Sequence, residues 1–168
     1  MNIKRIISLV MTVVLVMAVP YTSFAEEDED YCYDESAFVW MTPEEVSAEL
    51  LKLGIGFDKI VLYSTGSLVT REVNITAERT EDRIKVFFVT QGSMVANEIG
   101  VKNLKLYENG VMLKNSTKIY TGFKQIYSNG YYLYSPVKGR KYYAEGSNFA
   151  LFTTTEVARF TTSDTITY

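Results

Sequence analysis

From about Leu62 onward, the chain consists of short segments in which apolar and polar residues alternate, separated by turn-forming residues. Residues 73–77 show the two-residue repeat of a half-buried strand. Residues 84–89 are apolar on both faces, which is typical of a central strand. Between two further segments lies Asn109-Gly110, the pair that favours a type I′ hairpin turn. This pattern constrains the fold more than any other feature of the chain.

The number and spacing of these segments predict an antiparallel β-sandwich or barrel. The predicted strands cover residues 73–77, 84–89, 104–107, 111–113, 118–126, 131–134, 141–151 and 157–162. Turns are expected at 80–82 and 128–130, with a loop around 92–100. We therefore assign residues 62–168 to one antiparallel β-domain, a β-sandwich or a barrel.

One helix precedes this domain, in the segment 41–61 that we assign as a short helix and linker. Thr42 is a natural N-cap, Pro43 fits the first helical position, and Glu45 completes a capping box. Apolar residues then recur at helical spacing, and Gly54 supplies the stop signal after the last turn. The sequence predicts a helix at 42–54 that packs one face against the core.

The first 25 residues predict a cleavable signal peptide. Lys4 and Arg5 precede an apolar run over 6–19, and Pro20 and a small-x-small site ending at Ala25 follow it. A membrane-spanning helix needs about 20 apolar residues, so an uncleaved anchor is the weaker interpretation. We expect a secreted protein that is extracellular or associated with the cell surface, and that meets the membrane only before cleavage.

Residues 26–40 are expected to be an acidic, flexible tail. Residues 26–35 carry seven acidic side chains and no basic one, and such a run repels itself. Without Lys4 and Arg5 the chain holds 15 basic and 20 acidic residues, a net charge of −5. That balance argues against nucleic-acid binding. Cys32 is the single cysteine, so the domain must fold without an internal disulfide.

A short motif links the domain to a known group. Gly139-x-x-Tyr142-Tyr143-Ala144, with the segment 99–106 before it, resembles small secreted proteins of Gram-positive bacteria with immunoglobulin or fibronectin type III-like folds. The resemblance covers about residues 70–168. It implies an immunoglobulin-like sandwich in which Tyr142 forms a tyrosine corner, its hydroxyl bonded to upstream backbone. The group has no established activity to carry over.

The chain offers little for catalysis. It contains no histidine, which excludes histidine-based triads and the usual histidine metal ligands. A carboxylate pair for glycoside hydrolysis is conceivable among several glutamates, but their spacing selects no pair. Those glutamates are Glu72, Glu78, Glu98, Glu108, Glu145 and Glu156. We expect no enzyme, no cofactor and no metal.

The 13 tyrosines are the more informative feature, since many of them cluster late in the chain. They either pack in the core or form an exposed platform that stacks on sugars or anchors a protein. Tyr132, Tyr134 and Tyr143 are the candidate ligand contacts. The leading hypothesis is a monomeric, non-catalytic binding or structural module with an extracellular protein or glycan as partner. The alternatives are a carbohydrate-binding module or small glycosidase, and a bacteriocin-like effector.

Overall fold

The computed structural model describes residues 33–55 and 66–168. The predicted leader, Cys32, most of the acidic tail and the linker from residue 56 onward lie outside these ranges. In the described part the chain is mainly β, with seven strands in one antiparallel sheet and one α-helix. The strands are β1 (Phe38–Trp40), β2 (Leu68–Glu78), β3 (Arg83–Glu108), β4 (Val111–Tyr134), β5 (Lys141–Phe152), β6 (Thr155–Thr162) and β7 (Ile166–Thr167). The predicted mainly β, antiparallel class with one short helix is confirmed.

The helix α1 spans Pro43–Lys52 and has the predicted capping box. The Thr42 side chain accepts from the Glu45 N–H at 3.3 Å, and the Glu45 carboxylate accepts from the Thr42 N–H at 2.8 Å. Leu53 is the C-cap, and Gly54 follows with a φ of +68°, in the left-handed region that favours glycine. The helix prediction is confirmed, including both of its ends.

Two long strands, β3 and β4, form the centre of the sheet. The first half of β3 pairs with β2 on one side and with the end of β4 on the other. Its second half pairs with β5, while the start of β4 continues along the opposite side. The strands β6 and β7 pair with β5, and β1 pairs with β4. The central position predicted for residues 84–89 is confirmed.

A sharp bend folds β3 back on itself. The Thr90 hydroxyl donates to the Gly100 carbonyl at 2.9 Å, although ten residues of straight strand would separate them by about 33 Å. The Asn148 amide on β5 also reaches Thr90 Oγ1 at 2.7 Å. Residues from both halves of β3, such as Val86 and Leu104, therefore share one main core cluster.

Two predictions are wrong, namely the loop at 92–100 and the turn at 128–130. Both stretches belong to strands, β3 and β4. Pairing with β4 is interrupted between Gln91 and Ala96, which marks an irregularity in a continuous strand, and a second register shift lies between Leu106 and Tyr107. Glycine and serine at these places permit bending without ending the strand. By contrast, the Asn109-Gly110 turn is confirmed, with φ values of +46° and +86°.

The described end of the predicted acidic tail is built into the sheet. Residues 38–40 form β1, which pairs with Tyr131–Leu133 of β4, and Tyr33, Ala37 and Phe38 pack on the main core. A short 3-10 helix over Glu35–Ala37 precedes the strand. The prediction of a flexible tail over 26–40 is therefore wrong for residues 33–40. The reason is that Tyr33 and Phe38 pack on the main core.

Candidate functional site

Two of the candidate tyrosines, Tyr132 and Tyr134, belong to a charged cluster that joins α1 to the sheet. Tyr132 is only 4% exposed, and the Arg83 guanidinium lies 3.7 Å from its ring centroid. Its hydroxyl donates to Glu45 at 3.1 Å. Tyr134 is 37% exposed, and its hydroxyl accepts from Arg83 at 3.1 Å. The guanidinium therefore covers the ring face that a sugar would need at Tyr132.

The same cluster holds a nearly buried lysine. Lys85 contacts Glu49 of α1 at 2.9 Å and Glu78 of β2 at 3.0 Å. Burial by itself would raise the pKa of both carboxyls, but hydrogen bonds and charge from the neighbouring cations outweigh it, and each pKa lies below its usual range. The cluster joins the helix to the sheet, since Lys85 contacts a carboxylate on each of them. Each of these charges has a partner of opposite sign.

The third candidate, Tyr143, lies in a separate cluster. Its ring stacks on Tyr107 with a centroid distance of 4.6 Å and an interplanar angle of 6°. The Tyr107 hydroxyl donates to Glu145 at 2.8 Å, and Lys105 contacts the same carboxylate. Tyr143 shares no contact cluster with Tyr132 or Tyr134. The structure does not bring the three candidate tyrosines together into one platform.

Tyr142 is fully buried at the end of the main core. Its hydroxyl accepts from the Val137 N–H at 2.9 Å, five residues upstream, and also contacts the Glu108 carboxylate. Tyr33 lies 3.1 Å from the Tyr142 oxygen and 3.2 Å from Glu108. Burial, followed by the neighbouring carboxylate, raises the pKa of Tyr142 well above its usual value. This arrangement ties the N-terminal segment to the β4–β5 connection.

The six glutamates considered for a hydrolytic pair are also engaged. Glu98 contacts Lys118 and Glu156 contacts Lys102, each at 2.6 Å. Glu72 accepts from Asn74 at 3.0 Å, and the other three belong to the clusters above. No group of three or more His, Cys, Asp or Glu side chains within residues 33–55 and 66–168 could hold a metal ion. Nor does any helix in these ranges have the length and apolar character to cross a membrane.

A cleft that the sequence did not predict lies between α1 and the outer margin of β4. We call it the α1–β4 groove; its volume is about 360 Å³. It is lined by Met41, Pro43, Val46, Ser47 and Leu50 from the helix side and by Lys124, Ile126, Tyr127, Ser128 and Asn129 from β4. The lining is mostly apolar, with a lysine and several small polar groups, and its volume falls within the range of ligand sites.

The backbone of β4 forms one wall of this groove. β4 pairs with β3 along one side, and on its other side β1 pairs only with Tyr131–Leu133. The Met41 N–H donates to the Gly130 carbonyl at 3.0 Å, and the chain then turns away into α1. Among the described residues, no strand lies beside residues 124–129 on that side. Only the fold reveals this edge, since nothing in the sequence of β4 marks it as unpaired.

Comparison of the chain with known protein families, with curated proteins and with solved structures found no match.

Proposed function

We propose that the protein is a non-catalytic binding module that acts outside the cell and holds a polypeptide partner in the α1–β4 groove. The observation that carries the proposal is the combination of an apolar cleft with a strand edge along one wall that no strand of residues 33–55 or 66–168 pairs with. An extended polypeptide can use both, because its backbone bonds to the edge while its side chains enter the cleft. The predicted leader at 1–25 supports the extracellular location.

A protein partner fits better than a glycan. A sugar platform needs open ring faces, whereas Arg83 covers Tyr132 and Tyr107 stacks on Tyr143. The six glutamates considered for a hydrolytic pair each contact a cation, a hydroxyl or an amide of the fold itself. These contacts support the non-catalytic interpretation.

We also keep the immunoglobulin-like relationship as part of the proposal. What supports it is the bond from the Val137 N–H to the Tyr142 hydroxyl, which matches the geometry of a tyrosine corner. The continuity of β3 and β4 through both halves of the sheet is a departure from the usual two-sheet arrangement.

Site-specific crosslinking tests the binding role. A benzophenone amino acid would replace Ser47, which is exposed and lines the groove, or Lys141, an exposed matched control on β5. After irradiation in a culture of the source organism, we expect a covalent adduct with an extracellular polypeptide from position 47 only. Adducts from both positions, or from neither, would contradict the proposal.

Export has its own test. Protein recovered from the medium is expected to begin at Glu26, as Edman sequencing would show. Recovery of the intact N-terminus only in the cell fraction would remove the extracellular part of the proposal.

A further inference from the structure

We propose that the occupant of the α1–β4 groove is an extended, acidic polypeptide segment that adds to β4 as a new strand alongside residues 124–129. This inference rests on the proposed function and specifies the chemistry of the partner.

A strand of the same chain, β1, already pairs with this edge of β4. β1 is only three residues long and pairs with β4 at Tyr131–Leu133, and the Met41 N–H extends the contact to Gly130. The stretch of this edge that lacks a partner strand within the described part of the chain begins at the next residue, Asn129. An added segment would therefore lie in line with β1, along the same edge of β4. Exposed strand edges of this kind are templates for a further strand.

The length of the open edge is set by Phe123. Its φ of +52° interrupts the extended backbone, and its side chain is 80% exposed. Regular edge geometry is thus available from Lys124 to Asn129, which is six residues. That length matches a typical strand in a globular protein.

The side chains beside the edge determine which residue types the added segment contains. On an added strand, alternate side chains point to one face of the sheet. Those on the helix side would enter the groove and meet Met41, Val46, Leu50 and Ile126. The residues of the segment that face these four side chains are therefore apolar.

Lys124 selects an acidic residue at the end of the segment, because it lies two residues from Ile126 and therefore on the same, groove-facing side of β4. Its sequence contains three lysines, Lys114, Lys118 and Lys124, and no acidic residue. Lys114 contacts Glu35 and Lys118 contacts Glu98. Lys124 is exposed at the groove and forms no ion pair with any residue of the described ranges. An acidic segment supplies the missing partner.

The same charge pattern argues against a second copy of this chain. Antiparallel pairing of two copies over residues 124–129 would give Lys124 of neither copy an acidic partner, because β4 contains no acidic residue. An acidic partner is favoured and self-association through this edge is disfavoured.

The test uses fluorescein-labelled heptapeptides and the full chain, with binding measured by fluorescence anisotropy. The probes are Glu-Ser-Val-Ser-Val-Ser-Glu, which carries its acidic and apolar residues on one face, its counterpart with lysine in place of glutamate, and the acidic peptide with alternate backbone amides N-methylated. We expect the acidic peptide to bind about tenfold more tightly than the basic one, and N-methylation of the paired amides to abolish binding. Lys124→Glu should weaken binding about tenfold, while Lys141→Glu should leave it unchanged.

Equal affinity for the acidic, basic and N-methylated peptides would overturn the proposal, as would the absence of any binding. A dimer in sedimentation that Lys124→Glu disrupts would assign the edge to a second copy instead. If crosslinking at position 47 succeeds while the acidic peptide does not bind, this inference fails and the binding role stands. If both experiments fail, the binding role fails as well.

Discussion

Two buried tyrosines, Tyr131 and Tyr142, should respond in opposite ways to the same change. Both are fully buried, so Tyr→Phe removes one hydroxyl and alters the packing equally little. The Tyr142 hydroxyl bonds to Glu108 and to the Val137 backbone. The Tyr131 hydroxyl, in contrast, has no hydrogen-bond partner among the described residues.

The magnitudes follow from these contacts. A hydrogen bond to a charged group contributes about 1.5–3 kcal/mol, and Tyr142→Phe leaves the nearly buried Glu108 with Tyr33 as its remaining donor. We expect a loss of about 2–3 kcal/mol, which would lower Tm by roughly 4–12 °C for a chain of this size. Tyr131→Phe removes a buried, unpaired polar group and should raise stability by about 1 kcal/mol.

Urea unfolding, followed by the fluorescence of Trp40, measures both effects. Trp40 is the single tryptophan, and its ring centroid lies 5.5 Å from that of Tyr131. At a slope of about 2 kcal/mol per molar urea, the two midpoints should differ by about 1.5–2 M. Tyr120→Phe, at an exposed position, is the control and should change stability by less than about 0.5 kcal/mol. Equal destabilisation by Tyr131→Phe and Tyr142→Phe would refute the reasoning, because the bonding of the hydroxyl would then not matter.

Three further changes test other parts of the structure. Gly130→Ala should strongly lower the Tm of thermal unfolding, because a Cβ there would lie 2.4 Å from the Val86 carbonyl oxygen. Gly54→Ala is the control: its Cβ would meet no neighbouring atom, and only backbone strain of about 1 kcal/mol is expected. Lys85→Met should move acid unfolding to higher pH, because Lys85 helps to lower the pKa of Glu78. A lowered carboxyl pKa stabilises the fold above the unfolded value of 4.5, and this stabilisation is lost as the pH falls. An unchanged midpoint of acid unfolding would contradict the prediction. The raised pKa values of the Tyr131 and Tyr142 hydroxyls stabilise the fold below about pH 10, so stability should fall above that pH. Phenolate absorbance at 295 nm should show an additional rise that coincides with unfolding, when these two side chains become exposed, and the absence of that step would contradict the prediction.

The sequence alone determined the features that depend on neighbouring residues. The capping box of α1 joins residues three apart, and the Asn109-Gly110 turn needs two adjacent residues that accept positive φ. The two-faced pattern at 84–89 likewise depends on alternation within one strand, and its faces do pack in two different clusters. These signals are local, so they can be interpreted without knowing what lies across the fold.

Only the tertiary structure decided the bend in β3, the covering of Tyr132 by Arg83 and the α1–β4 groove. Each depends on contacts between residues far apart in the chain, such as the bond from Tyr132 to Glu45 across 87 positions. A tyrosine in a strand has the same local sequence signal whether a guanidinium or water covers its ring. The edge of β4 has no partner strand among the described residues for a similar reason, because β1 ends after three residues and α1 follows it. That geometry, and not the residue types in β4, created the candidate site.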